Sequence, residues 1–158
     1  ARITNTAAAF EAAEAVLMRE LPHLQECPAP LVVHLTDGMY TRETADPAPV
    51  AKRIKDMRVS DGNVLIETIF ISDAVLPQPI RNILAWGGIM PDTKLADEYA
   101  EKLRAMSSIL PERWRLGLLN EHGYQLQAGA VMLLPGTSPE LVSLAFQMSG
   151  FSGIGKHA

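Results

Sequence analysis

The apolar positions change period along this chain, and each change marks an element. Over residues 5–21, Phe10, Ala13, Leu17 and Leu21 recur three and four apart, with Leu24 continuing the stripe. That spacing predicts an amphipathic helix with one buried face. Asn5 or Thr6 supplies a cap for its first turn, alanines crowd its first half, and Pro22 ends or kinks it. Residues 30–36, Pro-Leu-Val-Val-His-Leu-Thr, form a short unbroken apolar run stopped by Asp37-Gly38. A run of that length without alternation predicts an inner strand of a parallel sheet, buried on both faces. Helical spacing returns at 47–58, with Asp46 as cap, Pro47 in the first turn and Val50, Ile54 and Met57 on one face. Asp61-Gly62 reads as a turn, and 63–71 as the second strand, so strand, helix and strand follow in the order of a βαβ unit.

Residues 72–94 carry Pro77, Pro79, Gly87, Gly88 and Pro91 and predict a long loop, a length often tied to function. Leu95, Tyr99, Leu103 and Met106 resume a helical stripe, and another helix runs from near Pro111 to before Gly123. Residues 124–134 contain a third strand, best defined at 130–134. Ser138-Pro139-Glu140 opens a last helix, with Leu141, Leu144, Ala145 and Met148 facing inward and Gly150 as its stop. This alternation predicts an α/β domain over 1–150, followed by a glycine-rich flexible tail at 151–158.

Composition narrows the function classes. The length, 158 residues, suits one domain. The net charge of −4 argues against a nucleic-acid face, which needs clustered bases. No apolar run approaches the roughly 20 residues of a membrane span. The lone Cys27 has no internal disulfide partner and no base beside it in sequence.

Two places can carry chemistry. Asp37 closes an apolar strand, and in open parallel sheets ligands bind outside the carboxyl ends of the strands. Its carboxylate there suits a hard cation such as Mg²⁺, Mn²⁺ or Ca²⁺, or else it only stabilises the Asp37-Gly38 turn. Thr4-Asn5-Thr6 precedes a helix. Asn5 or Thr6 reads as its cap, while Thr4 lies on the approach loop with a hydroxyl available to a metal.

Taken together, Thr4-Asn5-Thr6 before an alanine-rich helix and Leu-Val-Val-His-Leu-Thr36-Asp37-Gly38 at a strand end resemble the von Willebrand factor type A (VWA) domain. The stretch from Tyr99 to Ser108 resembles the bacterial intracellular members. The resemblance implies a Rossmann-like open sheet, mostly parallel, with helices on both faces. It implies a metal-ion-dependent adhesion site (MIDAS) with five contributors, Thr4 matching its threonine and Asp37 its aspartate. The other three come from an Asp-x-Ser-x-Ser loop, which this chain lacks; Ser60-Asp61-Gly62 and Ser72-Asp73-Ala74 do not fit it. The expectation is therefore a C-terminal portion of such a domain. Its first strands would come from another chain, a second copy or a segment outside this sequence, and the apolar 30–36 strand would have an open edge. Magnesium would bind weakly to this chain alone.

The leading expectation is a non-enzymatic, cytoplasmic module that binds a protein partner, through an acidic side chain, at a divalent-metal site. A structural or assembly subunit without a working site is the second reading, and a metal-assisted hydrolase the third. No nucleophile–base pair or catalytic metal cluster is readable, so no catalytic residue is assigned. Trp86 and Met90, in the long loop, are candidate partner contacts or else cover the loop's own small core. His34 reads as a hydrogen-bonded core residue, and Glu43, Asp46 and Asp61 as solvated or capping residues.

Overall fold

The computed structural model describes residues 5–38, 44–73 and 75–152. Thr4, Glu43 and the tail beyond Ser152 lie outside them. Helix α1 spans Thr6–Glu20, and Asn5 caps it by accepting from the Ala8 amide at 3.0 Å. Pro22 sits in a short 3₁₀ turn, Leu21–His23, before strand β1, Leu31–Thr36. Helix α2 follows at Ala48–Asp56, where Asp46 accepts from the Ala48 amide at 3.0 Å. The Asp61-Gly62 turn is the tip of a small antiparallel hairpin, β2 at Arg58–Val59 and β3 at Gly62–Asn63. Strand β4 is Leu65–Phe70, helix α3 Glu98–Met106, helix α4 Glu112–His122, strand β5 Leu133–Pro135 and helix α5 Pro139–Gly150. Gly123 ends α4 in the left-handed conformation, φ 78°, where a side chain would be strained.

The protein is thus an α/β fold built on an open, parallel, three-stranded sheet in the order β1-β4-β5. β1 aligns with β4 from Leu31↔Leu65 to Thr36↔Phe70, and β4 with β5 from Thr68↔Leu133 to Phe70↔Pro135. Strand alternation sorts the core into two layers. Ile66 of β4 and Val32 of β1 pack with Phe10, Leu17, Val50 and Ile54 of α1 and α2. Phe70 and Leu133, on that same face, pack with Tyr99 and Leu103 of α3. The opposite face presents Ile69 and Leu134 to Trp114 and Leu118 of α4 and to Leu144 and Met148 of α5.

Two features differ from the pattern-based reading. The third strand is shorter than the run at 130–134, because Val131 instead bridges Ile89 and Ile109. Second, β1 is an edge strand among the described residues and is not buried on both faces. Its α1-side residues are covered, but Val33 and Leu35 on the other face stay 46% and 62% exposed. The apolar run is real; the cover that would make it an inner strand is not among the described residues.

A buried hydroxyl pair ties α3 to the sheet. The Ser107 hydroxyl donates to the Leu103 carbonyl at 2.7 Å and therefore accepts from Thr68 at 2.8 Å. Ser108 Oγ accepts from the Ile66 amide at 2.8 Å. These contacts give the two serines of the 99–108 stretch a structural job.

Candidate functional site

The end of β1 is where the fold offers a carboxylate to solvent. The turn at Thr36-Asp37-Gly38 is held from two directions. Thr36 Oγ1 and the Tyr99 hydroxyl both donate to the Gly38 carbonyl at 2.8 Å. Tyr99 comes from the first turn of α3, whose cap is Asp97, so the helix fixes the far side of the strand end. Asp37 itself is exposed and has no hydrogen-bond or ion-pair partner among the described residues. A carboxylate on a clamped turn, without a partner among the described residues, is preorganised for an external ligand.

One described carboxylate is far short of the near-octahedral oxygen set that Mg²⁺ demands. Among the described residues no group of three or more His, Cys, Asp or Glu side chains is placed to hold a metal. Asp37 is a hard-oxygen donor of the right chemistry, and Thr4, its expected companion, lies outside the described residues.

A cleft of about 340 Å³ opens beside the carboxyl ends of β4 and β5. Ser72, Asp73 and Gln78 line it with Thr137 and Ser138 from the start of α5. Asp73 follows β4 as Asp37 follows β1, so the same end-of-strand signal marks it in the sequence.

Trp86 and Met90 lie on the segment between β4 and α3. The loop carrying them is pinned by backbone bonds from Gln125 to Leu84 (2.9 Å), from Gln127 to Gly87 (2.9 Å) and from Val131 to Ile89 (2.7 Å). Trp86 is half-buried against both the α3 and the α4–α5 core layers. The Met90 amide donates to Thr93 Oγ1 at 2.8 Å and its carbonyl accepts from Arg104 at 3.1 Å. No described contact joins either residue to Asp37.

Three polar residues have roles that the sequence pattern did not assign. Asp61 is more than a turn residue: it takes both arms of Arg113 at 2.8 and 2.6 Å and the Ala29 amide at 2.8 Å. That joins the β2–β3 turn to α4 and to the approach of β1. His34 lies edge-on to Phe10, ring centroids 5.0 Å apart, with Nδ1 buried and unbonded rather than hydrogen-bonded. Burial lowers its pKa and keeps the ring neutral.

Glu67 is the third and the most perturbed. It sits in the middle of β4, fully buried, and neither carboxyl oxygen has a hydrogen-bond partner. Desolvation pushes its carboxyl up to about 8, so it is protonated at neutral pH. The signal was a single acid inside Leu-Ile-Glu-Thr-Ile-Phe, which a hydrophobic-run reading passes over.

Set against known proteins, the chain matches no family model, no curated protein and no solved structure. No helix of the described residues is long and apolar enough to cross a membrane.

Proposed function

We propose that this chain is the larger part of a VWA-like, non-enzymatic interaction module, working in the cytoplasm, that binds a protein partner at a divalent-metal site centred on Asp37. The observation that carries this reading is the exposed Asp37, without a partner among the described residues, on a turn clamped by Thr36 and Tyr99 at the carboxyl end of a parallel strand. Residues outside this chain complete the ligand set, and Thr4 contributes a hydroxyl. Mg²⁺ is the proposed ion, with Mn²⁺ or Ca²⁺ as substitutes. Magnesium keeps waters in its coordination sphere, so a partner's acidic side chain enters by displacing one. No bond is broken, and the metal makes recognition reversible by chelation.

The test is calorimetric titration of Mg²⁺ and Mn²⁺ into the complete protein and into its Asp37→Ala variant. The expected result is binding that the variant weakens at least about tenfold, the size of one lost charge-assisted ligand. Equal binding by the two proteins would sink the metal reading. A second reading, an assembly subunit with no working metal site, is favoured by the exposed apolar residues of the β1 edge, which offer a docking surface that needs no metal. It predicts that the partner stays bound in EDTA.

A further inference from the structure

β1 and β4 share a face on which β1 presents Leu31, Val33 and Leu35, and β4 presents Leu65, Glu67 and Ile69. Helices α4 and α5 cover Leu31, Leu65 and Ile69. They leave Val33 and Leu35 open to solvent, together with Ile71, which is next in the alternation and 46% exposed. Among the described residues, the backbone of β1 is incomplete at the same positions. The Leu65 amide donates to the Pro30 carbonyl and the Ile71 amide to the Thr36 carbonyl. By the two-residue period of a parallel ladder, Val32 and His34 also turn toward β4, and Leu31, Val33 and Leu35 turn their polar groups to the open edge. Glu67 stands directly across from Val33, buried and unbonded. Gln147 of α5, the helix over this face, likewise leaves its Oε1 buried without a donor. No described donor pairs with either group, and no described cation pairs with Glu67.

We propose that the open edge of β1 receives an apolar strand from a separate polypeptide, and that this strand brings a lysine or arginine onto the Val33 face to pair with Glu67. This rests on the reading that residues outside the chain complete the domain, and it asks nothing of the metal. The added strand lies two strand spacings from β4, about 9.6 Å. Only a long basic side chain crosses that gap. Its aliphatic stem covers Val33 while its head reaches the carboxyl. A second copy of this chain is a poor occupant. Pairing β1 with β1 brings more leucine, valine and another Glu67 onto this face, and no cation. His34 is no substitute, since it lies on the opposite face against Phe10. Glu67 therefore acts as a selectivity element, rewarding a strand with a base at one register and disfavouring a purely apolar one.

The probes are two nine-residue peptides of alternating valine and threonine, one with a central lysine and one with a central norleucine. Their binding to the full chain is measured by fluorescence anisotropy at pH 7.5 in EDTA, so a missing metal site does not move the result. The expected outcome is about tenfold tighter binding of the lysine peptide, the size of one charge-assisted hydrogen bond. The Glu67→Gln chain should lose most of that preference. Glu67→Met serves the same purpose if the glutamine variant does not fold. Equal affinities, no binding of either peptide, a preference kept in the variants, or self-association of the chain at this edge would each overturn the proposal.

Discussion

Replacing Glu67 by glutamine separates the cost of burying an ionisable group from that of burying a polar one. The ordinary carboxyl value is 4.5, and burial on β4 pushes it to about 8. Between those pH values the unfolded chain has released the proton and the folded chain has kept it. The folded state then binds more protons, so stability falls as pH rises, by about 1.4 kcal/mol per pH unit. Over the whole window the loss is about 5 kcal/mol, complete near pH 8 and flat above it. That is a large share of the 5–15 kcal/mol that holds a typical domain together. Glutamine does not titrate. Urea unfolding followed by tryptophan emission, with Trp114 in the core as reporter, gives the stability of both proteins from pH 5 to 9. Subtracting wild type from variant cancels every other titration. The difference should climb in the variant's favour from pH 5 to 8 and then level. Burial alone drives this shift, and no described cation pairs with the carboxyl; the apolar neighbours packed on that layer include Trp114, Leu118, Leu144, Ala145 and Met148. A difference that stays flat between pH 5 and 8 would refute the reasoning.

Asp61→Ala removes the two contacts to Arg113 and the one to the Ala29 amide, and should cost about 2 kcal/mol, read as a lower thermal midpoint. Arg113→Ala should cost less, because that arginine is largely exposed and Asp61 keeps the Ala29 amide. Leu35→Lys replaces an exposed leucine, so the isolated chain should lose less than about 0.5 kcal/mol in urea unfolding, while fluorescence anisotropy shows weaker binding of the lysine-bearing strand peptide.

Much of the fold could be read from the sequence, because local physics decided it. The α1 stripe through Phe10 and Leu17, the Asn5 cap and the Gly123 stop depend on neighbours within a few residues, and each is found where its pattern put it. The β1–α2–β4 order followed from period and turn signals in the same way. What the sequence concealed depends on contacts between distant segments. An apolar run such as Leu31–Thr36 says that burial is wanted, not which element provides it. The partners of Asp61 lie 32 and 52 residues away. The burial of Glu67 depends on helices that follow it by more than 40 positions. Asp37 was legible as a strand-end carboxylate, while the Tyr99 clamp behind it joins residues 61 positions apart and leaves no local pattern.

The edge of β1 also has a signature in time. Amide exchange with solvent should alternate along this strand. Val32, His34 and Thr36 are held by β4 and exchange slowly, and Leu31, Val33 and Leu35 trade their hydrogens almost as freely as a loop. A strand protected at every second amide is half a ladder. The moment another strand binds, the alternation should vanish and six consecutive amides should slow together, so the chain carries its own isotopic record of whether it stands alone.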